Sequence, residues 1–423
     1  MRSVEEQLTL VTQQAVAPEP VRIAIAESLG LMCAEEVQAQ RPLPGFDQAA
    51  IDGYAVRAVD VGGERGLGQD PTADITPTTE ISLPVVGEVA AGSGRPLRLQ
   101  PKQAVRVHTG APLPTLSDAV IPLAWTDRGR KRMTALKPVR SGEFVRKQGD
   151  DIRPGDVAVS QGAILSPAHI GLLAAVGRSK VLVHPRPRMS IMSIGHELVD
   201  IDREPSLGQV LDVNSYSLAA AGRAAGADVH RVGIAAGEPR RLKEIIEAQM
   251  LRSELIVISG AVGGSGSTTI REILADLGEL DTTRVAMHPG SVQGFGLLGD
   301  KKIPVFLLPS NPVSALVIFE IFIRPVVRIC LGKRTFQRRA VRARALNHVG
   351  SKAGRRGYVR ARLMRDAHTQ DYLVEGLGGA NGAPAHLLAG LSDANAMIRI
   401  PEEVTDVRPG DIVEVIFLSQ TGN

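Results

Sequence analysis

The chain has 423 residues, more than one hydrophobic core ordinarily organises, so its length implies roughly two to four domains. Hydrophobic residues make up 43% but aromatics only 3%, with 44 glycines and 27 prolines, which excludes a disordered chain or a helical bundle and implies many short strands and turns. The net charge of +4 conceals an asymmetry: residues 332–365 hold 12 Lys/Arg and no acid, leaving 37 basic against 45 acidic residues elsewhere.

The opening MRSVEEQLTLV has neither a basic nor an apolar leader region, so no secretory signal is expected. Ser3 and Glu6 form a capping box, and Val4, Leu8, Val11 and Ala15 fall at helical spacing. Residues 46–137 are turn-rich with short β-like runs (ISLPVVGEV, AVRVHTGAP, DAVIPLAW), the pattern of a small β module, and 62–77 reads as a loop. From Arg186, strand-like runs (MSIMSIG, VHRVGI, LIVISG, VAMHPG, VFLLPS) alternate with helix-like ones, including 239–251 and a long helix from Asn311. That alternation predicts a doubly wound, mostly parallel α/β sheet with its ligands at the carboxyl ends of the strands. The apolar stretch 313–327 is broken by Glu320 and Arg324 and reads as a buried helix, not a membrane span. Cys33 and Cys330 lack metal-ligand spacing and suit a reducing cytoplasm.

After Gly332 the period returns to two. Arg342 and Arg344 share one strand face, as do Tyr358, Arg360 and Arg362, while Val359, Ala361 and Leu363 point the other way, predicting a half-buried sheet with an arginine-lined surface.

The strand-like LIVIS (255–259) opens into Gly260-Ala261-Val262-Gly263-Gly264-Ser265-Gly266, and Ser267-Thr268-Thr269 leads into a helix. Glycines there let backbone N–H groups converge on an oxyanion, and the helix adds its positive end. Residues 259–270 contain no Asp, Glu, Lys or Arg, so the segment is an anion cradle without a metal ligand or a cationic clamp. It matches neither a P-loop nor a nucleophile elbow.

Four stretches in order, PGFDQAAIDGYAVR (44–57), RVHTGAPLP (106–114), RKQGDDIRPGD (146–156) and LLPSNPVSA (307–315), resemble the MoeA family of molybdopterin molybdenumtransferases, whose eukaryotic relative is the E domain of gephyrin. GQVLDVNSYSL (208–218) and ANAMIRIPEEVTDVRPGDIVEV (394–415) extend the resemblance over nearly the whole chain. It implies an elongated subunit with a MogA-like doubly wound α/β domain and two β-rich domains: a split domain (1–45 with 138–185), a β domain (46–137), the α/β domain (186–331) and a C-terminal β domain (332–423). It further implies a homodimer whose clefts involve both subunits, and Mg²⁺-assisted insertion of molybdate into adenylylated molybdopterin with release of AMP.

By the same resemblance, Asp52, Thr109 and Glu197 are the expected catalytic positions. Asp212, Asn214, Gly260, Gly263, Ser265, Asn311 and Pro312 would hold the pterin nucleotide, with Glu197 and Glu238 as metal ligands. Charged positions of the family pattern are replaced here: T-G-D-E by Ile194-Gly195-His196-Glu197, a D-D pair by Gly237-Glu238, the cradle Asp by Thr268, and both lysines of K-P-G-K-P by His288 and Ser291. Ala124 stands where a Glu is common. His108 and His196 read as polar cleft residues, and Trp125, Phe319 and Phe322 as core or interface.

Two readings follow. Loss of both signs of charge favours a gephyrin-like scaffold with a weakened insertase site, whose Arg342, Arg344, Tyr358, Arg360 and Arg362 would hold the acidic tail of a cytoskeletal, tubulin-like division filament or membrane protein and recruit the chain to a membrane or division site. The retained Asp52, Thr109 and Glu197 favour an active insertase. Nucleic acid is a poor fit, because the basic block lacks stacking aromatics beyond Tyr358.

Overall fold

Ser3 opens the first helix, Val4–Thr12, as the capping box predicts: its hydroxyl accepts from the Glu6 amide while the Glu6 carboxylate accepts from the Ser3 amide. The structure, a computed structural model, describes residues 1–63, 80–95, 97–235, 238–263, 267–378 and 388–418. These divide into two compact units, residues 22–183 and residues 1–21 with 184–423. The resemblance assigns residues 1–21 to the split domain, yet here they cluster with the α/β unit, because Val4 and Val11 are buried in its core.

Residues 22–183 contain a five-stranded sheet in the order Ala119–Pro122, Gly53–Val56, Ala104–Val107, Ile81–Val89, Arg132–Ala135. Tyr54, Ile121 and Met133 fill one of its faces, and the β-like runs of the sequence all become strands in it. A second small sheet places Lys180–His184 between Val21–Ala24 and Met32–Cys33, with Cys33 buried. Residues 64–77 of the expected loop lie outside the described residues.

The other unit is built on a six-stranded sheet in the order Asp228–Ile234, Arg188–Ser193, Leu255–Val262, Ile303–Pro309, Gly294–Leu298, Gly278–Asp281. The first four strands are parallel, and Gly294–Leu298 runs antiparallel to both its neighbours, Ile303–Pro309 and Gly278–Asp281. Every residue of Leu255–Val262 is buried, as a central strand covered by helices on both faces requires. Gly260 adopts a φ of +81°, and a Cβ there would lie 2.0 Å from the Ile194 carbonyl oxygen, so only glycine lets the two strand ends meet.

Two expectations are corrected. The run VAMHPG forms only the short strand Met287–His288, which joins the C-terminal sheet by pairing in parallel with Arg356–Gly357; Pro289 has no N–H to carry the ladder on. The long helix from Asn311 is three pieces, Pro312–Ile318, a π turn Phe319–Ile323, and Arg324–Cys330. Pro325 cannot donate to the Ile321 carbonyl and its ring crowds that oxygen, which accounts for the widened turn.

In the C-terminal sheet, Arg356–Arg365, Tyr372–Gly376, Ala340–Ala345, Ile412–Phe417 and Ala396–Ile400 follow one another, and the last pairs back with the first, closing a ring. Ala343, Ala361, Leu363, Val374 and Val415 fill its interior. Arg342, Arg344 and Arg362 point outward and are exposed, as the alternation predicts. Tyr358 and Arg360 depart from it, being 5% and 4% exposed. Tyr358 shares the core of Val4 and Val11, and Arg360 lies under Gly390, whose Cβ would come within 3.0 Å of its Nε. The outer face of this strand is therefore covered along much of its length and is no continuous arginine surface.

Candidate active site

The carboxyl ends of three adjacent parallel strands are tied together by side chains. Ser193 Oγ donates to Asp212 Oδ1 at 2.7 Å, and the Ser215 amide donates to the same oxygen at 3.0 Å. Ser215 Oγ donates to the other Asp212 oxygen. Asn214 Nδ2 donates to Ser259 Oγ at 2.5 Å and to the Ser310 carbonyl at 2.8 Å. Asp212 and Asn214 thus fasten the amino end of helix Asn214–Ala225 onto strands Arg188–Ser193, Leu255–Val262 and Ile303–Pro309. A helix amino end held at the carboxyl edge of a parallel sheet is the usual anion-receiving crevice of such folds.

Two features of this crevice point to a ligand. Asn214 is 6% exposed and its Nδ2 bonds fix its orientation, yet its Oδ1 has no hydrogen-bond partner among the described residues. A buried acceptor left unpaired is costly, so a donor from a ligand fits there. The second feature was missed by sequence reasoning. Arg231, on strand Asp228–Ile234, donates to Ser215 Oγ at 3.0 Å, lies 3.9 Å over the Tyr216 ring, and approaches Asp200 at 3.6 Å. Tyr216 also donates to Asp200, at 2.7 Å, which holds that carboxyl below its usual range. A cation therefore stands beside the helix amino end; the signal in sequence was only an arginine within a strand-like run.

The other expected residues of this unit lie as follows. Glu197 is exposed, its carboxylate resting against Gly195, where a Cβ would fall 2.8 Å from both oxygens. Glu238 precedes helix Pro239–Met250 without capping it and is exposed. Gly260 is buried at the strand end and Gly263 is exposed, while Ser265 lies outside the described residues. Asn311 caps helix Pro312–Ile318 by accepting from the Ser314 amide at 2.9 Å, with Pro312 as its first residue. Among the described residues no three His, Cys, Asp or Glu side chains gather as metal ligands.

The replaced lysine positions have a different electrostatic environment from the one their sequence suggests. Ser291 is buried with an unpartnered hydroxyl, and His288 is half-buried. Burial, then the positive charges of Lys352 and Arg355, push the His288 ring below its ordinary basicity. Strand pairing of Met287–His288 with Arg356–Gly357 brings those two cations to the turn from the C-terminal sheet.

Within residues 22–183, Asp52 Oδ1 accepts from both the amide and the hydroxyl of Thr109, at 2.8 and 2.9 Å. Those bonds, the amide first, hold the Asp52 carboxyl below its usual range. Neighbouring His108 Nε2 meets Glu88 Oε1 at 2.7 Å.

The expected peptide surface is electrically mixed. A groove of about 830 Å³ beside Arg342 is lined by Arg356 and Arg399 but also by Glu5, Asp406 and Glu414. Arg356 pairs with Glu5 and, at 2.9 Å, with Glu402, while Arg399 pairs with Glu414. Folding thus brings two acids from outside the acid-free segment onto its Arg356.

Comparison with known proteins agrees with the resemblance along the entire chain. Residues 2–177 match the MoeA N-terminal region (domain I and II), residues 190–329 a probable molybdopterin binding domain, and residues 342–418 the MoeA C-terminal region (domain IV). The chain is 57% identical to molybdopterin molybdenumtransferase 1 of Mycobacterium tuberculosis, covering 100% of both chains. It is 34% identical to molybdopterin molybdenumtransferase 2 of the same organism, over 98% of this chain and 99% of the other. Its fold matches the crystal structure of the molybdopterin biosynthesis MoeA protein of Pyrococcus horikoshii with a TM-score of 0.79 and 30% identity, over 99% of each chain. The chain belongs to the MoeA family of molybdenum cofactor biosynthesis proteins.

Proposed function

We propose that the chain is a working molybdopterin molybdenumtransferase that inserts molybdate into adenylylated molybdopterin with release of AMP. The observation that carries this reading is the strand-end network, in which Asn214 Oδ1 is a buried acceptor without a partner among the described residues. The relationship to a named transferase over the whole chain supports the same conclusion.

In this reading Asn214 accepts an N–H of the pterin, the amino end of helix Asn214–Ala225 and Arg231 offset the phosphate charge, and Gly260 lets the ligand approach the backbone. Glu197 offers a free carboxylate at the loop after strand Arg188–Ser193, and the Asp52–Thr109 pair shapes its own turn. A magnesium ion would be held chiefly by the substrate's phosphates and its own waters, with Glu197 as an exposed carboxylate within the cleft loops. The scaffold reading is the weaker one, since Tyr358 and Arg360 are covered and acids neutralise Arg356 and Arg399.

The test is single-turnover release of AMP from adenylylated molybdopterin with molybdate, with and without a divalent cation. Release that disappears in Asn214→Leu supports the proposal; no release from the wild-type chain overturns it.

A further inference from the structure

The strand-end crevice uses neither the π turn Phe319–Ile323 nor the cations around it. We propose that Arg324 and Arg338, which flank Glu320, together with Arg328 and the adjoining Lys333 form a second anion site that takes a small oxyanion of the phosphate type.

Glu320, Arg324 and Arg328 recur every four residues and so share one side of the helix that runs through the π turn. Arg338 returns from the following segment and grips Glu320 with two bonds of 2.9 and 3.0 Å. That leaves Arg324 Nε only a loose approach to the same carboxylate, at 3.8 Å. Arg324 spends Nη1 on the Phe336 carbonyl at 3.1 Å, and the Lys333 amide closes onto the Arg328 carbonyl at 3.0 Å, which folds Lys333 back beside that arginine.

These charges are not solvated in the ordinary way. The side chains of Arg324, Glu320 and Arg338 are 11%, 15% and 18% exposed. Arg328 Nε is buried and has no partner among the described residues. Burial, then Arg338, lower the basicity of Arg324 to about 10, with Glu320 opposing; burial and then Arg338 lower that of Arg328, and burial and then Arg328 that of Lys333. Four cations thus adjoin one another, while Glu320 already gives both its oxygens to Arg338. A carboxylate ligand has two oxygens, whereas a phosphate carries enough acceptors to meet several of these cations at once.

The experiment is calorimetric titration of the full chain with inorganic phosphate and, separately, with AMP, at constant ionic strength set by chloride. Inorganic phosphate is expected to bind, and Arg328→Gln and Lys333→Gln are each expected to weaken it about tenfold. Without phosphate, Arg328→Gln should melt no lower than the wild type, since it removes a buried unpaired donor. If Arg328→Gln weakens AMP as well, the natural occupant is a phosphate monoester; if AMP is unaffected, it is the free ion. Absence of phosphate binding, equal affinity in the variants, or a change confined to sedimentation behaviour overturns the proposal. None of these outcomes depends on AMP release at the strand-end site, so the two readings fail separately.

Discussion

Asp52 and Thr109 are joined twice through one oxygen, Oδ1 receiving both the amide and the hydroxyl of the threonine. Such a carboxylate is held in its ionised form. Because its folded pKa lies below the unfolded value, its contribution to stability is present above about pH 4 and is lost as pH falls through the folded value. Asp52 is exposed, so the contribution is modest. Asp52→Asn is expected to lower stability by about 1 kcal/mol or less at neutral pH and to flatten the acid limb of a urea-midpoint profile. An unchanged acid limb would show that the pair does not form in solution.

Asn214 offers a sharper test. Asn214→Asp puts an acceptor where Nδ2 now donates, opposite Ser259 Oγ and the Ser310 carbonyl. About 1–3 kcal/mol of stability should be lost, measurable by chemical denaturation. Asn214→Leu removes those donors and the free Oδ1 together, so its effect on binding of adenylylated molybdopterin should exceed its effect on folding. Equal affinity in wild type and Asn214→Leu would remove Asn214 from the ligand site.

What the sequence revealed was what is local. Ser3 and Glu6, three residues apart, set the first helix; the apolar run 255–259 and the glycines after it marked the central strand, although that strand continues through Gly260 and Ala261 to Val262. What it hid was set by distant cover. Nothing near Tyr358 in sequence says that Val4 and Val11 pack with it, and nothing near Arg356 says that Glu5 neutralises it. Arg231 reads as one more strand arginine until parallel pairing and the helix amino end bring Ser215 to it. The three-part helix after Asn311 was legible in principle through Pro325, but apolar periodicity outweighed it.

The same cover separates two arginines of one strand face. Arg360 is 4% exposed and donates to the Leu377 carbonyl at 3.2 Å, whereas Arg362 is exposed. Arg360→Ala should cost about 1–3 kcal/mol by leaving a cavity and an unpaired carbonyl, while Arg362→Ala should stay within about 0.5 kcal/mol. Guanidinium unfolding of both variants checks this; equal, small effects would mean that the outer face of the strand is open after all.

His288 stands at a position where the family pattern has lysine, and its ring is made less basic by burial and by Lys352 and Arg355. A base whose folded pKa lies below its unfolded value favours folding above the unfolded pKa. Stability should therefore decline as pH falls below about 6.5, because the unfolded chain takes up the proton first, and should level off below the folded value. Lys352→Gln with Arg355→Gln removes the two repelling charges without touching the buried neighbours, so the ring's titration, followed by proton NMR, should move upward. His288→Gln should remove that segment of the pH–stability profile. An unmoved titration in the double variant would place Lys352 and Arg355 away from the turn, and the positive charge missing from His288 and Ser291 would then have no source in the C-terminal sheet.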